Sequence, residues 1–177
     1  MTQVSGAAVS RASDFTVRRA RTDDVTAIRE LLGRYKGILL DKPDVTLFED
    51  IQEFWVAEHD GDGRIVGCGA LHVFWLDLAE VRTLAVDPEC RGMGIGARIL
   101  DKLVRTAARI GVRRLFCLTF EVDFFAAHGF TEISGVPVPP QIEAELSLSA
   151  DGGVAEFLDL EQVKPNTLGN TRMLRIL

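Results

Sequence analysis

The stretch Glu80-Val81-Arg82-Thr83-Leu84-Ala85-Val86-Asp87-Pro88-Glu89-Cys90-Arg91-Gly92-Met93-Gly94-Ile95-Gly96 decides the fold. Residues 79–87 read as a strand that ends at Pro88, which cannot donate to a sheet ladder. Residues 94–110 form the strongest predicted helix. Its apolar stripe is Ile95, Ile99, Leu103, Ala107 and Ile110, and Gly111 stands at the expected C-cap. Between them lie Gly92, Gly94 and Gly96, which can adopt positive φ and leave no side chain between backbone and ligand. A helix starting there aims unpaired N–H groups at the loop, and Arg91 adds a cation. Those features describe a pyrophosphate cradle.

Two common phosphate loops fail on spacing. A Walker A loop ends in Gly-Lys-Ser/Thr, and here Gly96-Ala97-Arg98 follows. A dinucleotide fingerprint is G-x-G-x-x-G after the first strand of a βαβ unit. Here the glycines are each two apart and the strand is about the fourth.

Outward from this stretch, Phe15 and Val17 alternate with polar neighbours as in a strand. Val25, Ile28, Leu31 and Leu32 have helical spacing, and a short helix is predicted over 45–52. Residues 54–74 read as a hairpin turning at His59-Asp60-Gly61-Asp62-Gly63. Residues 114–119 form a short buried strand, and residues 123–128 a short helix. A further helix is predicted over Gln141–Leu148, and strands at 155–160 and 172–177. The order β-α-α-β-β-β-α-β-α-β-β implies an α/β (α+β) fold: a mixed, twisted sheet of about six or seven strands with helices on both faces. Residues 1–14 read as a flexible tail and residues 15–177 as one domain.

At 177 residues the chain is long enough for one full core. Its net charge of −6 argues against nucleic acid as a partner, so an anionic ligand needs a local cationic site. Cys68, Cys90 and Cys117 form no C-x-x-C pair, and three histidines lack ligand spacing, so no metal is expected. Free cysteines and the lack of a signal-peptide core fit the cytoplasm. No apolar run is long enough to span a membrane.

Arg91-x-x-Gly94-x-Gly96 after Val86-Asp87-Pro88 resembles motif A, the acyl-CoA loop of the GCN5-related N-acetyltransferase (GNAT) superfamily. Phe124-Phe125-Ala126-Ala127-His128-Gly129-Phe130 is similar to that family's later aromatic-Gly-Phe signature. The likeness covers roughly residues 15–133. Gly37-Ile38-Leu39-Leu40, Phe54 to Glu58, Cys68-Gly69-Ala70-Leu71, Leu118-Thr119-Phe120 and Asn170-Thr171-Arg172 are closer still to the acetyltransferase domain of N-acetylglutamate synthases, in a short stand-alone form. The resemblance implies acetyl-CoA as cosubstrate, bound by Leu84, Ala85, Val86, Arg91, Gly92, Met93, Gly94, Ile95 and Gly96. It implies acetylation of the α-amine of L-glutamate, or L-glutamine, at the first step of arginine biosynthesis, by direct attack through a tetrahedral intermediate. A homodimer is the family-level expectation.

Acetyl transfer needs a neutral amine, hence a base. Glu80 matches the catalytic glutamate of histone-acetylating members, and the period of two sets it on one face with Arg82 and Leu84. Alternatively it pairs with Arg82 or orients a water. Backbone N–H groups at Leu84, Ala85 and Val86 can stabilise the oxyanion. Lys42, Arg82, Asn170 and Arg172 are the substrate-binding candidates. The family's acid, a tyrosine, is replaced by Phe125, and the only tyrosine is Tyr35. Glu121 stands where larger synthases have a basic residue, which keeps glutamine open as substrate. Other amine acceptors, and a non-catalytic acyl-CoA sensor, are the competing readings.

Overall fold

A computed structural model describes residues 14–39, 42–158 and 169–177. The predicted tail, residues 1–14, lies outside these except for its last residue. Seven strands form one sheet: β1 (Phe15–Arg19), β2 (Phe54–His59), β3 (Ile65–Trp75), β4 (Leu78–Val86), β5 (Arg114–Thr119), β6 (Thr131–Glu132) and β7 (Thr171–Ile176). Their order is β1-β2-β3-β4-β5-β7-β6. Only β4 and β5 pair in parallel, because the long helix α3 (Ile95–Arg109) crosses over between them.

Helices cover both faces. On one, α3 and α4 (Val122–Ala127) bury Ile95, Ile99, Leu103 and Phe125 against Leu71, Val81 and Cys117. The approach of α3 requires glycine on β3. A Cβ on Gly67 or Gly69 would come within 2.9 Å of Ile99. The opposite face holds two separate clusters. Helices α1 (Val25–Gly33) and α2 (Asp44–Glu49) pack on Phe54, Val56, Cys68 and Ala70. Helices α5 (Pro140–Leu146) and α6 (Gly152–Phe157) pack on Phe74, Leu78 and Phe116. The seam between these clusters is where polar side chains enter the interior.

Two expectations are corrected. The predicted strand at 155–160 is helix as far as it is described. Val154, Ala155, Phe157 and Leu158 are all buried at helical spacing, and Asp151 caps the turn by accepting the Val154 N–H at 2.9 Å. The apolar run resembles a strand only when that cap is ignored.

The second correction concerns Leu84. Cys68 pairs with Ala85, but Ala70 pairs with Arg82, so Gly69 alone faces both Thr83 and Leu84. This is a β-bulge, and it shifts the strand's alternation by one residue. Leu84 therefore lies on the α3 face, with its Cδ1 3.0 Å from a Cβ built on Gly69, while Glu80 and Arg82 face the seam. Thr83 takes a left-handed φ of 59°, which costs a β-branched residue on the order of 1–2 kcal/mol. The strain sits on the wall of the seam cavity, a common location for functional strain.

Candidate active site

The loop from β4 to α3 fits an anionic ligand. Gly92 and Gly94 have φ of 79° and 75°, and a Cβ on either would meet only open space. Gly94 is the N-cap of α3, so no side chain occupies the helix's free N–H groups, and the first turn carries no acid. Gly96 departs from the expected positive φ. It lies within the first helical turn, where its added Cβ would stand 3.6 Å from Phe124 and Val86. Asp87 fixes the turn: its Oδ1 accepts the Glu89 N–H at 3.0 Å and the Arg34 guanidinium at 2.9 Å.

Past the loop, β4 and β5 separate. Their pairing runs from Leu78 opposite Arg114 to Glu80 opposite Phe116 and goes no further. Leu84, Ala85 and Val86 lie beyond that point, so their β5-facing edge is open to an extended ligand. The Tyr35 hydroxyl donates to the Val86 carbonyl, and Arg91 Nη2 lies 3.4 Å from the same hydroxyl. Tyr35 thus ties the cationic loop to the end of β4. Nothing local in the sequence reveals the reach of Tyr35 to β4.

A cavity in the seam adjoins this open edge. Glu80, Arg82, Lys42 and Asn170 line it together with Thr83 and Glu156. Four predicted residues therefore meet. Arg172 does not join them. Its guanidinium donates to the carbonyls of Phe157 at 2.9 Å and Glu156 at 3.2 Å, fastening β7 to the end of α6. Lys42 reaches the wall already paired with Asp50 at 3.2 Å. Glu121 is exposed and outside the lining, so its charge acts at the loop side, on Arg91.

Arg82 organises the cavity. Its Nε donates to Glu80 Oε2 at 2.8 Å, and its Nη1 donates to Asp151 Oδ2 at 3.1 Å. Its Nη2 is buried and has no partner among the described residues. Gly153 makes room for it, since a Cβ there would fall 2.7 Å from Nη2. Burial pushes the Glu80 carboxyl up, Arg82 and His72 pull it down, and the net position is above the ordinary carboxylate range. Burial also raises Asp151, but the Arg82 hydrogen bond and charge outweigh it and bring Asp151 down to about 2. Of two acids on one guanidinium, Glu80 is thus poised to accept a proton and Asp151 is held ionised.

Asp151 contributes stability in a defined window. Its folded pKa lies below the unfolded value of about 3.9, so the contribution is complete above that pH and fades as pH falls toward 2. Asp151→Ala removes both the α6 cap and one Arg82 partner. Because Asp151 is partly solvated, the expected loss is about 2 kcal/mol in urea unfolding at pH 7, shrinking near pH 3.

Two buried cysteines are inert. Burial raises the Cys117 thiol strongly and pushes Cys68 up to about 12, so neither is a thiolate nucleophile near neutral pH. Phe125 is core, not cleft. Among the described residues no group of three or more His, Cys, Asp or Glu side chains could hold a metal ion.

With that geometry established, comparison with known proteins identifies the group. A profile of the acetyltransferase (GNAT) family matches residues 25–135. The chain belongs to the GNAT family. Its relatives include an amino-acid acetyltransferase of Mycobacterium tuberculosis, 60% identical over 163 residues, covering 91% of this chain and 94% of that protein. A crystal structure of Rv2747 from Mycobacterium tuberculosis, in complex with CoA and NLQ, superposes with a TM-score of 0.89 at 59% identity, covering 92% of this chain and 99% of that one. The N-acetylglutamate synthase of Neisseria gonorrhoeae, complexed with coenzyme A and N-acetyl-glutamate, gives 0.74 at 29% identity. The match covers 92% of this chain but only 35% of that protein. Within the GNAT fold, the β4–α3 loop and the parted β4 and β5 fit acetyl-CoA as cosubstrate. Among the described residues, no helix of this GNAT protein is long and apolar enough to cross a membrane.

Proposed function

We propose that the protein acetylates the α-amine of a free amino acid, L-glutamate or L-glutamine, using acetyl-CoA, and so serves the entry to arginine biosynthesis. The observation that carries the reading is the seam cavity, whose lining includes Glu80, with its carboxyl raised by burial, and Arg82, whose buried Nη2 has no partner among the described residues. An α-amino acid presents an amine and a carboxylate two bonds apart, which suits that pair of groups. Likeness to a 60% identical amino-acid acetyltransferase supports the same class.

Acetyl-CoA supplies the activated acyl group through its thioester. Glu80, ionised, takes the proton of the incoming ammonium, directly or through one water. Arg82 holds Glu80 in place through Nε and offers Nη2 to the substrate carboxylate. The stretch of β4 beyond Glu80, unpaired with β5, borders the charge that builds on the acyl oxygen. Tyr35 and Arg91 position the cofactor end of the cleft.

One observation favours glutamine over glutamate. Arg82 already faces Glu80 and Asp151, Lys42 already faces Asp50, and Glu156 adds another carboxylate to the wall. A second substrate carboxylate would enter an acid-rich site in which each cation among the described lining residues already faces a carboxylate, whereas an amide can donate to it.

Product identity tests the reading. After incubation with acetyl-CoA and either amino acid, mass spectrometry should find one acetyl group on the α-nitrogen. Acetylated spermidine, with neither amino acid modified, would overturn it. The pH profile follows from Glu80. Because its carboxyl lies above the usual range and must be ionised, kcat/KM should fall on an acid limb above ordinary carboxylate pKa values.

A further inference from the structure

Glu80 has a second neighbour that the reaction so far leaves unused. His72 on β3 stands directly opposite Glu80 on β4, so both side chains share the seam face. Cβ atoms paired this way are about 4.5–5.5 Å apart, close enough for one water to join side chains whose own hydrogen bonds run to Arg82 and Glu53. His72 Nδ1 lies 2.7 Å from Glu53 Oε1, at the end of the short turn before β2. The His72 and Glu53 side chains are 19% and 25% exposed, whereas that of Glu80 is 6% exposed. The row Glu80, His72, Glu53 therefore runs from the interior outward.

A buried base must discharge one proton per turnover. The groups facing Glu80 are Arg82 on the same strand, Asp151 and Glu156 on the α6 side, and His72 on β3. A guanidinium has no acceptor, and Asp151 at about 2 will not hold a proton. Glu156 is a carboxyl raised by burial and by Glu80 itself, and it lines the same cavity. His72 alone combines an acceptor nitrogen with a partner nearer solvent. With a carboxylate accepting from Nδ1–H, the Nε2 atom is the unprotonated acceptor.

We propose that His72, oriented by Glu53, relays the substrate's proton from Glu80 to solvent. This rests on the amino-acid acetyltransferase reading. Through one bridging water, the Glu80 O–H bond breaks as its proton passes to that water, and a proton of the same water forms the N–H bond at His72 Nε2. The imidazolium then passes a proton to water at the exposed side, restoring the starting tautomer after exchange. The ammonium proton thus ends in bulk water, and no oxidant or second reactant is needed. His72 and Glu53 are positioning residues that act through Glu80.

The test is thiol release from acetyl-CoA with glutamine and glutamate as acceptors, for wild type, His72→Gln and Glu53→Gln. Wild-type turnover with either acceptor comes first; its absence defeats the substrate reading, not the relay alone. In His72→Gln, kcat should fall about tenfold with both KM values little changed, and added imidazole should restore it. The solvent deuterium isotope effect on kcat should rise. Glu53→Gln should show a smaller loss of kcat, also relieved by imidazole. An active wild type with kcat unchanged in His72→Gln would overturn the relay, as would a loss that imidazole leaves untouched. Should His72→Gln fail to fold or bind acetyl-CoA, Glu53→Gln decides, and an unchanged kcat there overturns the proposal.

Discussion

Glu80→Gln should lower kcat by about 10²–10³-fold while leaving acetyl-CoA affinity nearly unchanged. The substitution keeps the side chain's shape, and its amide oxygen can still accept from Arg82 Nε, now 2.8 Å from Oε2. What it removes is the ability to take a proton. The expected loss corresponds to about 3–4 kcal/mol of transition-state stabilisation. The cofactor loop is built from residues 91–96 on the far end of β4, so its glycines and helix N-terminus are untouched. A structural role for the Glu80–Arg82 pair would give a different pattern: lowered stability and a raised acceptor KM, with kcat largely preserved. Steady-state kinetics beside urea unfolding separates the two.

Gly94→Val should raise the KM for acetyl-CoA by about 100-fold, with a smaller effect on the acceptor KM. Two costs add. The backbone holds φ at 75°, where a β-branched residue loses on the order of 1–2 kcal/mol. The new side chain would also stand in the open space before α3, where the N–H groups need a ligand in close approach. Gly96→Ala is the contrast. That residue has ordinary helical φ, and its Cβ would meet Phe124 and Val86 only at 3.6 Å. It should raise the acetyl-CoA KM far less. Equal effects at the two positions would mean that bulk in the loop, not backbone conformation, governs binding.

The loop and α3 were legible because their signal is local. Glycine spacing, an apolar stripe of period 3.6 and a C-cap all lie within one stretch of sequence. The period of two puts Arg82 on the face of Glu80, a family resemblance brings in Lys42 and Asn170, and the four line one cavity. Leu84 was misplaced because a bulge leaves no mark on alternation until the partner strand is known, and the clue, a threonine at positive φ, exists only in three dimensions. Helix α6 was read as a strand because its buried residues outnumber its exposed ones, so the helical stripe looks like a continuous run. Arg172 illustrates the limit of carrying a role over by motif. Its position fits, but backbone carbonyls of α6 occupy its guanidinium. Asp151, the second partner of Arg82, lies 69 residues away in sequence, and no local pattern connects the two.

The central claim is that the seam cavity selects an amine beside a carboxylate. It is tested most directly by thiol release from acetyl-CoA, comparing L-glutamine and L-glutamate with 4-aminobutyrate and spermidine. The account predicts the highest kcat/KM for the α-amino acids, a loss of about 100-fold or more when the amine is separated from the carboxylate, and no useful turnover of the polyamine. Equal or better turnover of spermidine would contradict it, leaving the GNAT fold and the cofactor loop in place but assigning the cavity to a different acceptor.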